Sequence, residues 1–362
     1  MTRQPATLVL RDGLELHGWA AGHLPESGVT QGEFVFNTAL SGYQEILTDP
    51  SYFGQIVTFT YPHLGNYGVT AADDESRRTW CSGLVAREIT ATPSGWRAEG
   101  SLEDYLIAHG VPAIVGIDTR RLTRHLRDHG ALPGAFGHAD PSVVGESAAR
   151  AQGTDGQDFV ARVTAPEPFD AGHAGPRIVA IDYGIKRSMV RQLAERFRVT
   201  VVPATTSAAD VLAREPEGVF LSNGPGDPAA LGWHVEQIRA LLGAVPIMGI
   251  CLGHQLLAQA LGAGTYKLPF GHHGSNHPVR DETTGRIEIT AQNHNYAVDE
   301  GSMGSAVITH RNANDGVVEG LLDARQRCFS VQYHPEAAPG PHDARYLFER
   351  FENLVASGAV TL

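Results

Sequence analysis

A cysteine stands between two glycines in PIMGICLGHQLL, residues 246–257. An apolar, strand-like run ends at Cys251, and a helix-like run begins directly after it. Two chemistries compete for such a residue. Packed among apolar side chains, a cysteine is a small inert hydrophobe. At a tight strand-to-helix turn it is a nucleophile. Gly249 and Gly253 leave room for a turn that pushes the side chain outward, by the logic of the G-x-S-x-G elbow. The positive end of the following helix favours thiolate, and the Leu252 N–H can donate to an oxyanion. Spacing around Cys251 leaves both readings open.

A cysteine nucleophile needs a base, usually histidine, and a third group to orient it. With 17 histidines in the chain, proximity in sequence decides little. His254 follows Cys251 on the helix itself, where it is poorly placed to receive the thiol proton. His334 is the better candidate, because CFSVQYHPEA reads as a strand ending in His-Pro-Glu. Glu336 is two residues on, so an extended backbone puts both side chains on one side, where the carboxylate can fix the imidazole. The alternative is a solvated His-Pro turn. A third piece is the loop LSNGPGDP, residues 221–228. Its Gly224-Pro225-Gly226 backbone can present N–H groups to an oxyanion or a carboxylate, or be an ordinary β–α loop.

The elements that must position these residues alternate. From residue 177 onward, RIVAIDYG, VTVVPA, GVFLSNGPGD and VPIMGI read as near-continuous apolar strands. Helices SMVRQLAERF, one opened by Ser207 and Asp210, HVEQIRALLGA and LGHQLLAQALG intervene. This rhythm predicts an α/β fold with a doubly wound, mainly parallel sheet, and in such sheets ligands bind at the carboxyl ends of the strands. After residue 265 the pattern turns shorter and more strand-like, and HDARYLFERFENLVA closes it as a helix. Residues 1–140 mix alternating runs such as ATLVL, FVFNTA and QIVTFTY with turn signals, predicting a separate, mixed α+β N-terminal domain. Two helices are expected there. One is capped by Ser101 and closed by Gly110; the other, DTRRLTRHLRDHG, is capped by Asp118 and stopped by Gly130, with its arginines on a solvated or partner-facing side. Residues 141–176, rich in Ala, Gly, Pro and Asp, read as a connecting region, and 177–362 as the second domain.

Composition excludes several classes. Of 362 residues, 42% are hydrophobic and 19% charged, which suits two buried cores and not a disordered chain. A formal charge of −12 argues against general affinity for nucleic acid or anionic membranes. Three cysteines, Cys81, Cys251 and Cys328, make no disulfide framework and no CxxC pair. That usage fits a reducing cytoplasm, with Cys81 and Cys328 as packing residues and no structural zinc. The opening MTRQPATLVLRDG lacks a signal-peptide pattern. The most apolar window, 244–264, contains His254, Gln255 and Gln259 and reads as buried strand plus helix, not as a membrane span.

LSNGPGDP, GICLGHQLL and QYHPEA, in this order and spacing, resemble the class I (triad) glutamine amidotransferases over residues 177–362. GEFVFNTALSGYQEILTDPSYFGQIVTFTYPHLGNYG, GIDTRRLTRHLRDHG, FGHHGSNHPV and PGPHDARYLFERF resemble the small, glutamine-hydrolysing subunits of carbamoyl phosphate synthetases, extending the likeness over nearly the whole chain. The resemblance implies a catalytic triad of Cys251, His334 and Glu336, with Leu252 and Gly224 N–H groups as the oxyanion hole. It implies that glutamine is bound by Ser51, Gly224, Gly226, Leu252, Gln255, Asn293, Asn295 and Tyr296. One departure is that position 295 holds Asn where the pattern has Gly, and Tyr296 stands where Phe is common. If the site needs positive φ at 295, Asn is the best non-glycine choice. The loop histidines His272, His273 and His277 meet a crude metal-ligand count, but the resemblance implies a structural or supporting role, and no metal is expected.

The chain shows no GxxxxGK[ST] loop and no recognisable ATP site. The resemblance implies that ATP and Mg belong to a large synthetase subunit, which receives ammonia from this chain and makes carbamoyl phosphate for pyrimidine and arginine biosynthesis. The N-terminal domain is the candidate for most of that contact, with no nucleic acid or membrane as partner. A stand-alone cysteine hydrolase on the same core would not need residues 1–140, and a non-catalytic scaffold would not need Cys251, His334 and Glu336.

Overall fold

A computed structural model describes residues 3–359. Met1 and Thr2 of the segment inspected for a signal peptide lie outside the described residues. The chain divides into two compact units, residues 1–155 with 269–273, and residues 156–268 with 274–362.

In the first unit the strands are β1 (Pro5–Leu10), β2 (Glu15–Gly22), β3 (Val29–Asn37), β4 (Gln55–Phe59), β5 (His63–Leu64), β6 (Gly83–Val85), β7 (Glu88–Ile89), β8 (Pro112–Val115) and β9 (Leu132–Gly137). The order β1-β2-β8-β6-β4-β3-β9 closes into a barrel, because β1 pairs antiparallel with both β2 and β9. The expected mixed unit is thus a closed barrel. Closure joins strands more than a hundred residues apart, which local alternation cannot encode. Side chains alternate between two cores, as a two-residue period requires. Phe34, Ile56, Val85 and Ile114 share one core, and Val35, Val57, Leu84 and Ala113 the other.

The helices of this unit are α1 (Tyr43–Thr48), α2 (Leu102–Ala108), α3 (Thr119–His129) and α4 (Pro141–Arg150). Ser101 caps α2 by accepting from the Asp104 N–H, and Asp118 caps α3 by accepting from the Arg121 N–H, both as expected. Leu122 and Leu126 anchor α3 in the core of Phe34 and Ile56. α4 occupies the start of the segment expected to connect the domains.

The second unit begins with α5 (Val160–Val163) and β10 (Phe169–Ala171). Then follow β11 (Arg177–Asp182), α6 (Arg187–Ala194), β12 (Arg198–Pro203), α7 (Ala208–Leu212), β13 (Gly218–Leu221), α8 (Gly232–Leu241), β14 (Ile247–Ile250) and α9 (Leu252–Ala260). The rest comprises β15 (Gly264–Asp281), β16 (Ile287–Asp299), β17 (Val307–Asn312), β18 (Val318–Asp323), β19 (Cys328–Val331) and α10 (Tyr346–Ser357). Residues 269–273 of β15 group with the first unit.

The sheet runs β10-β12-β11-β13-β14-β19-β18-β16-β15-β17. It departs from the mainly parallel sheet expected. Only the middle, β12-β11-β13-β14-β19, is parallel. The β18, β16, β15 and β17 half is antiparallel, as strands linked by short turns must be. Its strands are also longer than the pattern suggested, with 18 residues in β15 and 13 in β16. Successive residues of β11 feed opposite cores: Val179 and Ile181 pack with α7, α8 and α9, whereas Ile178 and Ala180 pack with α6 and α10. Each leucine or phenylalanine so buried stabilises the unit by about 1.5–3 kcal/mol. This two-faced burial holds the carboxyl ends of β11, β13, β14 and β19 in one line. No helix of the described residues is long and apolar enough to cross a membrane.

Candidate active site

Cys251 follows β14 directly and takes φ 54°, ψ −108° as the residue that caps α9. Side-chain-bearing residues rarely occupy this region, so the surroundings must enforce it. They do so at both ends of the turn. The Cys251 N–H donates to the Val331 carbonyl at 2.9 Å, and the Gly253 N–H to the Ser222 carbonyl at 3.0 Å. The flanking glycines are needed for contact and not only for space. A Cβ on Gly249 would sit 2.7 Å from the Gly253 oxygen, and one on Gly253 would sit 2.2 Å from the Leu221 oxygen. The expected elbow is present, but it does not push the side chain into solvent. Cys251 is 2% exposed, with Sγ 3.4 Å from the Asn293 carbonyl oxygen, because β16 lies over the strand end.

Leu252 opens α9, and the first N–H groups of a helix have no intrahelical acceptor. Gly224 lies beside it. A Cβ there would come within 2.8 Å of Leu252 Cδ2 and 2.2 Å of the Tyr183 oxygen. Only glycine therefore fits, wedged between the Leu252 side chain and the Tyr183 backbone. Gly226, at φ 96°, completes the loop.

His334 follows β19, and its Nδ1 lies 2.8 Å from Glu336 Oε1. The two side chains meet through a turn, not through the extended backbone expected. The Ala337 N–H donates to the His334 carbonyl at 3.1 Å, and Ala337 takes φ 62°. Burial works against a charged imidazole here. The Glu336 carboxylate and the Cys251 sulfur overcome it and hold the His334 pKa up at about 10. Nε2, on the far side of the ring from Glu336, falls outside hydrogen-bonding geometry with any described residue; Sγ acts on it as a near neighbour.

Glu336 has a partner that sequence reasoning missed. Lys186 Nζ donates to the same Oε1 at 2.7 Å and to the Ala337 carbonyl at 2.7 Å. Its side chain is 3% exposed and that of Glu336 is 0% exposed. Burial alone would raise the carboxyl pKa, but Lys186 and then His334 hold it down at about 2. Lys186 is delivered by the loop after β11. There Asp182 accepts from the Gly184 and Ile185 N–H groups at 2.8 and 2.7 Å, turning the chain into α6. A lone lysine before a helix carries no sequence signal for this.

His254 is no rival as base. Its Nδ1 lies 2.8 Å from Ser330 Oγ in β19, and burial drives its pKa down to about 3. The other expected residues divide. Gln255 is buried on α9, and its Nε2 donates to the Tyr296 carbonyl at 2.8 Å and to Gln332 Oε1 at 3.0 Å. Gln332 is a further residue the sequence did not flag. Asn293, Asn295 and Tyr296 lie within four successive positions of β16, and all three are buried. Asn295 is not among the residues with positive φ, so the backbone requirement considered for it is absent. Ser51 lies in the first unit, in the short turn Pro50–Tyr52, with its N–H donating to Asp49 Oδ1 at 2.9 Å. The three histidines expected in a loop lie instead in the long strand β15, where His272 and His273 group with the first unit and His277 with the second. Cys81 and Cys328 are buried, and desolvation pushes both thiols up to about 12, as suits packing residues.

Comparison with known proteins follows the same division. The family profile for the CPSase domain of the carbamoyl-phosphate synthase small chain matches residues 8–136. The profile for glutamine amidotransferase class-I matches residues 179–354. The carbamoyl phosphate synthase small chain of Syntrophotalea carbinolica is 51% identical, covering 97% of each chain. That of Symbiobacterium thermophilum is 53% identical over 92% of this chain and 94% of its own. That of Thermus thermophilus is 48% identical over 96% and 93%.

Proposed function

The chain belongs to the carbamoyl phosphate synthase small-chain family, and from that premise we propose how its residues perform the reaction. It is the glutamine-hydrolysing subunit of that synthase, acting with a large-chain partner. The observation that carries the residue assignment is the buried line in which Glu336 fixes and charges His334 beside Cys251.

In this reading His334 is an imidazolium next to the sulfur, which attacks the glutamine carboxamide as thiolate. A C–S bond forms, and the carbonyl electrons move to an oxyanion held by the Leu252 and Gly224 N–H groups. On collapse the C–N bond breaks, and the His334 proton leaves with ammonia. Neutral His334 then takes a proton from water, whose oxygen attacks the glutamyl thioester. The C–S bond breaks, glutamate departs, and the proton is back on His334. Burial of Cys251 keeps bulk water from the thioester until ammonia has gone. Gly226, Gln255, Asn293, Asn295 and Tyr296 line the glutamine side. ATP and Mg act on the large chain, and this chain needs no cofactor of its own.

The test is ammonia release from glutamine by the complex with its large chain. Cys251→Ser lowers it by at least about a thousandfold. Retention of a tenth or more of wild-type activity would sink the assignment of Cys251.

A further inference from the structure

We propose that a cleft along helix α3 of the first unit is an oxyanion-binding site, taking a carboxylate or phosphate group among three arginines and two threonine hydroxyls. The sequence of α3 is the first sign. The whole chain carries 40 Asp and Glu against 28 Lys and Arg. Residues 119–129, TRRLTRHLRDH, reverse that balance with four arginines and one aspartate. The helix period then sorts them. Leu122 and Leu126 pack into the core. Arg120, Thr123, Arg124 and Arg127 fall at i, i+3, i+4 and i+7, which is one stripe on the opposite side. Like charges at such spacings repel, so the stripe is unfavourable unless an anion meets it. Thr60, directly after β4, completes the lining of the cleft. Its N–H donates to the Asn37 carbonyl at the end of β3, at 3.1 Å.

Every side chain lining the cleft is a donor. Its volume is about 430 Å³, and no carboxylate is among its lining residues. That volume suits a small molecule. Among the described residues, Arg120 and Arg124 make no hydrogen bond or ion pair. Arg127 meets only its exposed neighbour Asp128, with Nη2 at 2.7 Å. The Thr123 hydroxyl is a second, independent sign. A threonine inside a helix can donate back to the carbonyl one turn earlier. Thr123 Oγ1 is instead buried without a hydrogen-bond partner among the described residues. Native structures seldom leave a buried hydroxyl unpaired, so it points to a group that is bound there. An arginine fork matches two oxygens of one carboxylate or phosphate. One oxyanion therefore satisfies the hydroxyl and offsets the repulsion between the guanidinium groups together. Cys251, His334 and Glu336 all belong to the second unit, so this cleft binds and takes no part in the proposed hydrolysis.

The oxyanion has two sources, a free small molecule or a carboxylate side chain of the large chain, and two measurements separate them. Inorganic phosphate is titrated into the full chain by calorimetry, and association of the full chain with the large chain is measured at one fixed, low ionic strength. The triple variant Arg120→Gln, Arg124→Gln, Arg127→Gln removes the charges and keeps good helix formers. A free ligand predicts a phosphate Kd raised by at least about tenfold, with association unchanged. A large-chain carboxylate predicts association weakened by at least about tenfold, with phosphate competing for the cleft. Thr123→Val removes the hydroxyl, keeps the branched shape and weakens the same quantity by about threefold or more. Arg121→Gln, on the same helix but outside the lining, changes either quantity by less than about twofold. Should the triple variant fail to fold, Arg124→Gln alone is read beside Thr123→Val, with about threefold or more expected. If these variants shift neither phosphate affinity nor association by those amounts, or Arg121→Gln shifts them as far as Thr123→Val, the stripe is a solvated helix face and the proposal is overturned.

Discussion

The first turn of α9 and the turn after β19 each bury a histidine, and one is held neutral while the other is held charged. His254, three residues from Cys251, faces the neutral hydroxyl of Ser330 and is held neutral down to about pH 3. His334, 83 positions from Cys251 in the numbering, faces a carboxylate and is held charged up to about pH 10. Both are buried, so burial does not set the difference. The partner does. A hydroxyl gives nothing to offset the desolvation of a cation, whereas a charged carboxylate does. Nearness in sequence points to the neutral ring, and the electrostatic neighbour marks the charged ring that the proposed mechanism uses.

The largest expected effect breaks this contrast directly. His334→Asn lowers glutamine-dependent ammonia release by at least about a thousandfold, while His254→Asn keeps it within about fivefold. Equal losses in steady-state assays of the two complexes would abolish the distinction.

The elbow itself is the next target. A methyl group at Gly253 meets the Leu221 backbone oxygen at 2.2 Å, a contact no flexible side chain can relieve. Gly253→Ala is expected to cost about 3 kcal/mol in chemical unfolding, with activity lost in proportion to the displaced Cys251. An unchanged midpoint would mean that the turn relaxes freely.

Thermal melts across pH sharpen the comparison further. Unfolded His254 binds a proton near its ordinary value of about 6.5, but folded His254 does so only near 3. In between, the unfolded state holds more protons, so this histidine costs stability as pH falls below 6.5. His334 has the opposite sign. Its stabilising charge is fully present below about 6.5 and is lost as pH rises towards 10. His254→Gln should therefore flatten the acid side of the melting curve, and His334→Gln the alkaline side. The same slope change in both variants would contradict the assignments.

The smallest effect concerns strain. Cys251 sits at φ 54°, a region that glycine enters at little cost. Cys251→Gly should be more stable than Cys251→Ala by about 1 kcal/mol, with both inactive. Equal unfolding free energies would show that the turn is unstrained.

How far the site was legible in the sequence follows from the range of the interactions involved. Cys251, Gly253 and Leu252 could be placed because strand, turn and helix are contiguous there and their periodicities differ. His334 could be placed at a strand end, since CFSVQYHPEA is apolar up to the histidine, and Glu336 followed from it. The turn that joins those two side chains was not legible, because an extended run and a tight turn both bring positions two apart into reach. The parallel half of the sheet was readable from its apolar strands alternating with helices. The antiparallel half and the barrel closure were not, since they depend on which distant edges pair. Lys186 left no trace, as nothing local distinguishes a lysine that will be buried from one that will be solvated.

The sequence by itself determined the helices and the parallel strands of the second unit, the turn at Cys251 and the family, because these rest on local periodicity and on motifs a few residues long. Only the tertiary structure decided the protonation of each histidine, the burial of Cys251 and the pairing of Lys186 with Glu336. Charge and solvation depend on neighbours brought together across the sheet, and those neighbours lie 83 and 150 positions apart in the chain.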